Sequence, residues 1–424
     1  MKPLFRVERS AGMRRCLIAI VFVLAACGAV QPQPSSSRSA GPASPSSATP
    51  LVLATTSPSP SAIPSPTQAS STTPPSSPSP QPTKAAPLLF AALEAKGTTN
   101  PSQWNTLAIA GLDGYARAKT TFTPLPFPYV GCAGPIVPLS AHVAAGRVYF
   151  ADGTGAIRSL SPNGQLVQVT KFPLTSTQQM LSFAVSPDGA KLLATIFTFP
   201  PAPPSPAACT GSSVFAPGSF TLDVYAADSG APSTLLYHQD LGTAIPANVM
   251  ELVGWDQAGP FGTDPSVLAT QGGGPAHYYG TTVHIDATTG KVVQSISDQS
   301  CMVWDIAATG DFVCSDTSSG DISVRRPDRS EIWHFKAQAN AGFYYEFLAP
   351  DEQHVVGVGS ATVVVGRDGS NVAVAPSFFH DGWLDSQTLV GGGFNRNFSY
   401  VSLAAPGNVV DIGFAGLFIG TVQA

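Results

Sequence analysis

Charged residues are scarce in this chain: Asp, Glu, Lys and Arg make up 11% of its 424 residues, and aromatic residues only 9%. A surface helix needs a charged face opposite its apolar stripe, so this composition excludes a fold built on long amphipathic helices. Gly and Pro, at 40 each, point instead to strands and turns. Positive charge is especially short. Five of the 21 Lys and Arg residues and one of the 26 Asp and Glu residues lie in the first 26 positions. The remainder therefore holds 16 basic and 25 acidic groups, a formal charge near -9. Nucleic-acid binding needs basic groups to displace counterions from phosphates, and anionic lipid needs a polybasic segment; neither is expected here. Also missing are a GxSxG elbow, a P-loop, an HExxH helix and a calcium loop. No CxxC pair or Cys/His cluster has zinc spacing. The sequence thus calls for no cofactor and no metal, and its catalytic residues, if it has any, stay unassigned.

Hydrophobic length is short too. After a basic start ending in Arg14 and Arg15, residues 16–26 (CLIAIVFVLAA) form the apolar run that leads to Cys27. That is about half the ~20 residues a spanning helix requires. A basic stretch, a short apolar core and small residues together read as a signal peptide over 1–26. Leu24-Ala25-Ala26-Cys27 resembles the lipobox of bacterial lipoproteins. That resemblance implies cleavage before Cys27 and a diacylglycerol on its thiol, which would anchor the chain to the extracytoplasmic face of a membrane in the cell envelope. An ordinary cleaved signal with an incidental cysteine is the alternative. Arg14-Arg15-Cys16-Leu17-Ile18 is also similar to a twin-arginine signal, with Met13 in place of the usual Ser or Thr, so the export route stays open.

Residues 27–86 form a Pro/Ser/Thr tract, as in SPSPSAIPSPTQASSTTPPSSPSPQPTK. Such a stretch cannot bury enough apolar surface to offset the entropy of ordering it. We expect a disordered linker with polyproline II character, reaching somewhat under ~200 Å when extended.

From 87 to 424 the chain repeats itself. Seven units each place two β-rich runs around a turn, at Gly114, Gly164, Gly230, Gly290, Arg329, Gly369 and Gly407. Between these hairpins lie further strand pairs: LSFAVSPDGAKLLATIF, VGWD followed by PSVLATQ, MVWDIAATGDFVCSD, YEFLAPDEQHVVGVG and GWLDSQTLVGGG. The spacing suits one four-stranded blade per interval, hence an all-β, seven-bladed β-propeller of antiparallel blades. Phe183, Trp255, Trp304, Phe347 and Trp383 recur at one place in the repeat and are expected to pack between blades. The first unit holds only three strand candidates, PLLFAALEA, NTLAIAGL and ARAKTTF, while GFAGLFIGTVQA is left over at the far end. That orphan run should complete the first blade and remove an open edge. Ser186-Pro187-Asp188-Gly189, with APDEQ at 349–353 as a weaker echo, resembles the turn of TolB-like, WD40-like seven-bladed periplasmic propellers and propeller lipoproteins.

Cys132, Cys209, Cys301 and Cys314 remain after the export segment. An even count outside the cytoplasm suggests disulfides with three possible connectivities. In a propeller, Cys301 starts an innermost strand and Cys314 ends its neighbour. Cys132 and Cys209 fall in connections on that same face. The expected pairs are therefore Cys132 with Cys209 and Cys301 with Cys314, against the alternative of free buried thiols.

Two insertions stand out, 198–219 and 271–280, each expected between the second and third strands of a blade and so on one face. His277, Tyr278 and Tyr279 follow three glycines and offer stacking and hydrogen-bonding groups to a sugar or peptide; a plain surface loop is the alternative. His380-Asp381 and Trp304-Asp305 read as site material or as strand-end packing. The expected function is that of a monomeric, membrane-tethered binding or scaffold protein for an envelope protein, peptide or glycan. The alternative is a propeller-type enzyme, a glycan lyase, glycosidase or lactonase, with acid and base groups at the central channel. Mass spectrometry of the mature N-terminus is expected to show diacylglyceryl Cys27, and Cys27→Ser to release the protein from membranes. An intact Met1, or cleavage elsewhere without lipid, would overturn this.

Overall fold

The computed structural model describes residues 88–422 apart from 95–103, 127, 129–140, 202–216, 245–248, 264–281, 298–300, 317–318, 337–343, 359–360, 393–396 and 414. Among the described residues, every regular element is a β-strand, and the strands form seven antiparallel sheets of four. Each sheet is one blade of a closed ring. Blade 2 spans 141–171, blade 3 spans 179–242, blade 4 spans 252–295, blade 5 spans 302–336, blade 6 spans 344–373 and blade 7 spans 380–411. Blade 1 joins the two ends of the chain: Gly416–Val422 is its innermost strand, followed by Leu89–Glu94, Thr106–Gly111 and Ala116–Thr121.

Burial is deep in the second strand of each blade and least in the outermost, and the sequence follows it. The two inner strands of blade 3, Gln179–Val185 and Lys191–Thr198, lie between neighbouring blades on both faces. They read QMLSFAV and KLLATIFT, almost wholly buried. Two-sided burial selects continuous apolar runs instead of alternation. Outermost strands such as Ala116–Thr121 and Val292–Ser295 are mainly exposed, and Ala116–Thr121 carries polar residues at most positions. The core is divided accordingly, with one apolar cluster at each blade junction. Blades 3 and 4 share Leu193, Phe197, Val224, Leu252, Val283 and Ile285; blades 4 and 5 share Phe261, Ile296 and Phe312; blades 7 and 1 share Leu384, Val390, Phe398, Phe90 and Ala92.

Ring closure rests on the pairing of Leu89 with Val422 through Glu94 with Gly416, with one bulge between Ala91 and Ala92. The orphan C-terminal run therefore fills the vacancy in the first unit. Gly416 is required there, because a Cβ at that position would lie 2.3 Å from the Leu93 carbonyl oxygen. At the junction behind it, the Thr421 hydroxyl donates to the Trp383 carbonyl at 3.1 Å.

The turn positions also match. Gly114, Gly164, Gly230, Gly290 and Gly369 adopt φ of 70 to 84°, and Arg329 takes the same left-handed conformation at 69°. The Ser186-Pro187-Asp188-Gly189 turn is closed by Asp188, whose Oδ1 accepts from the Ser186 hydroxyl at 2.6 Å and the Ala190 N–H at 3.0 Å. Its echo in blade 6 places Glu352 in the glycine slot at φ 59°, and Asp351 accepts from the Gln353 N–H. One expectation is corrected. The second strand of blade 4 is Pro260–Thr263, not the 265–271 run, which lies outside the described residues. Asp256 closes a tight turn by accepting from Ala258 and Gly259 N–H groups, so the returning strand starts at once.

Truncation after Ile412 should remove the innermost strand of blade 1 and lower the melting temperature by on the order of 10 °C, several kcal/mol at about 2–4 °C each. Removal of residues 28–86 should leave it unchanged. Equal melting temperatures for the two deletions would refute closure.

Candidate binding face

Antiparallel order sorts every connection onto one of two faces. Links between the second and third strands, and between successive blades, emerge together on what we term the loop face. The remaining hairpins, with their short Asp/Gly turns, occupy the turn face. The two long second-to-third connections, 199–219 in blade 3 and 264–281 in blade 4, thus belong to adjacent blades and to the loop face. The connection 122–140 from blade 1 to blade 2 emerges there too. His277, Tyr278 and Tyr279 lie outside the described residues, as do Cys132, Cys209 and Cys27. The strands flanking each loop nevertheless place its roots.

Buried hydroxyls on the strands tie one blade to the next. Ser182 in blade 3 donates to the Leu252 carbonyl of blade 4 at 3.1 Å and accepts from its N–H at 2.8 Å. Thr195 donates to Met250 at 2.8 Å. Thr362 in blade 6 donates to Phe378 at the entry to blade 7 at 2.7 Å. Burying these hydroxyls is tolerable because each meets a strand-end group that no ladder satisfies.

Innermost strands place Ser182, Gly254, Val303, Glu346 and Gly382 one residue before the recurring aromatics. The aromatics pack between blades as expected wherever they are described. Phe183 lies in the cluster shared by blades 2 and 3, with the His142 ring edge-on at 4.9 Å. Trp383 donates its indole N–H to the Phe347 carbonyl of blade 6 at 3.0 Å. The side chain of Trp304 lies outside the described residues. Val253, on the innermost strand of blade 4, is 39% exposed.

Three titratable arrangements stand out, of which the sequence pointed only to Asp305. Asp256 and His284 form a buried pair, Oδ2 to Nε2 at 2.7 Å, inside blade 4. Glu346, fully buried, accepts from the Ser315 hydroxyl of blade 5 at 3.2 Å, and burial pushes its carboxyl up to about 7. Asp305, in the predicted Trp-Asp pair, accepts from the Leu348 N–H of blade 6 at 2.9 Å, and burial pushes it up to about 6. Strand-end packing therefore accounts for Asp305, while the His380 ring stands edge-on to Phe347 at 5.5 Å. Asp311 also sits above the usual carboxylate range, through burial first and then neighbouring Glu352, but on the turn face. The only sequence signal for any of these was the repeated Trp-Asp dipeptide at 255–256 and 304–305. Among the described residues, no group of three His, Cys, Asp or Glu could hold a metal ion.

Cys301 and Cys314 are joined as a disulfide at the loop-face end of blade 5. Both are buried. Non-reducing peptide mapping should recover this link. Since it closes a loop of 13 residues, the double Cys→Ala variant should lose about 2–4 kcal/mol in denaturant unfolding; a loss below ~0.5 kcal/mol would mean the bond is dispensable.

No family model and no curated protein matches the sequence. Solved structures similar to the chain include an oligogalacturonate lyase in complex with manganese, at 9% identity and a TM-score of 0.43 over 74% of this chain and 90% of the other. BamB from Moraxella catarrhalis is similar at 11% identity and a TM-score of 0.35, over 70% of this chain and 78% of its own. A putative TolB from Agrobacterium tumefaciens is similar at 14% and 0.33, over 79% and 92%. Likeness at this level transfers neither activity nor location.

Proposed function

We propose that this chain is a lipid-tethered binding propeller of the cell envelope that takes a peptide, protein or glycan on its loop face. The observation that carries the reading is convergence: two long second-to-third connections of adjacent blades rise from one face of a rigid ring. Loops on a rigid scaffold are where recognition residues concentrate. The blade 4 loop brings His277, Tyr278 and Tyr279, whose rings offer flat apolar area with a polar tip. A second disulfide between Cys132 and Cys209 would fasten the blade 3 loop to the connection between blades 1 and 2. The anchor is the diacylglyceryl Cys27 inferred from Leu24-Ala25-Ala26-Cys27, with 27–86 as its spacer.

The enzyme alternative needs two carboxylates, or a His with a carboxylate, open to the channel. Among the described residues, Asp256 with His284 and Glu346 are sealed inside or between blades, which leaves them unable to serve it.

Replacing 267–280 by a short Gly/Ser turn, and separately Tyr278→Ala with Tyr279→Ala, should weaken binding to the best hits of an envelope glycan and peptide array by tenfold or more. Melting temperature should stay unchanged. Binding that survives both changes at full strength would place the site elsewhere.

A further inference from the structure

The blade junctions are cross-linked by different chemistry. Neutral groups serve at three of them: Ser182 and Thr195 between blades 3 and 4, Thr362 and Trp383 between 6 and 7, and Thr421 between 7 and 1. Between blades 5 and 6 the inner strands are cross-linked by two carboxyls running in opposite directions, and on the turn face a third, Glu352 of blade 6, accepts from the Thr309 hydroxyl of blade 5 at 2.6 Å. Asp305 of blade 5 reaches the Leu348 N–H of blade 6, and Glu346 of blade 6 reaches the Ser315 hydroxyl of blade 5. Glu346 is fully buried and, among the described residues, its second oxygen Oε2 has no hydrogen-bond partner. The rest of this junction is apolar: Val313, Val324, Trp333, Leu348, Val355 and Val365 form its cluster.

We propose that the junction between blades 5 and 6 is an acid-closed seam of the ring, tightened when Glu346 and Asp305 carry protons and loosened when they ionise. A protonated Glu346 keeps the Ser315 bond and carries no charge that must be solvated. An ionised one leaves an unpaired negative charge among apolar groups, at a cost that solvent can relieve only by parting the blades. The charged and titratable groups on the elements packed against Glu346 do not neutralise it. Blade 5 offers Asp305, Asp316 beyond its second strand and, on the turn face, Asp311, which lies against Glu352 of blade 6. The second strand of blade 6 offers His354, which faces Asp351 at 3.7 Å. The innermost strand of blade 7 offers His380, Asp381 and Asp385.

The direction of the response follows from the shifts. Both carboxyls are raised in the folded state, so the native protein binds more protons than the unfolded chain. Their contribution to stability is complete below the ordinary values of 4.5 and 3.8 and is lost as pH rises through about 7 and about 6. The population of the opened junction should therefore grow by up to about tenfold per pH unit for each carboxyl across its window.

Amide exchange of the full-length protein at pH 5 and pH 8, compared at each pH between wild type and Glu346→Gln, tests the seam. Glu346→Gln should slow exchange in peptides covering 302–315 and 344–348 by at least about tenfold at pH 8, leave it unchanged at pH 5, and leave the blade 3–4 junction unchanged at both. Asp305→Asn should act in the same direction with its transition at lower pH. Equal effects at pH 5 and pH 8, or equal effects at both junctions, would overturn the proposal. Should Gln fail to fold at position 346, the wild type decides alone: protection at the 5–6 junction, corrected for intrinsic rates, must fall between pH 5 and pH 8 relative to the 3–4 junction, and parallel behaviour of the two would overturn it.

Discussion

Everything in this domain depends on one antiparallel ladder, the pairing of Gly416–Val422 with Leu89–Glu94. A blade alone cannot bury both faces of its inner strands, and a row of blades leaves two of its junction faces open to water. Closing the row into a ring covers both at once. The ladder that does so joins segments more than 300 positions apart, so its loop-closure entropy must be met before any reward arrives. The return is the cluster around Phe90, Leu384, Val390 and Phe398, which exists only when the first and last blades meet.

Given that closure, the blades act as wedges, and their differences lie in what crosses each junction. Apolar contacts supply most of the cohesion at every one. Hydroxyls and an indole N–H then settle the strand-end groups that the ladders leave over. The contact between blades 5 and 6 uses carboxyls for this purpose, an expensive choice in an apolar setting. A neutral amide at either place would make the same bonds at less cost.

Much of this architecture was legible in advance because propellers write their rhythm locally. Turn chemistry at Gly114, Gly164, Gly230, Gly290 and Gly369, and the surplus strand at the C-terminus, are short-range signals that survive in a single sequence. The second strand of blade 4 was misread for a physical reason: Pro260-Phe261-Gly262-Thr263 has poor strand propensity, while 265–271 is more apolar. Pro260 is tolerated as the first residue of its strand, and Gly262 has the Glu251 carbonyl oxygen 2.3 Å from where a Cβ would lie. Tertiary approach thus outweighed propensity. The buried pairs Asp256–His284 and Glu346–Ser315 were illegible because their partners are 28 and 31 positions apart. No periodicity announces which strand will face which.

Residue 88 enters the ring on the turn face, at the start of a strand flanked on both sides by hydrogen-bonded neighbours, Gly416–Val422 and Thr106–Gly111. Tension applied through whatever precedes it pulls along that strand. The load then falls as shear on both ladders together, every bond sharing it, instead of opening them one bond at a time as peeling would. The point of chain entry is therefore held against tension by two ladders at once.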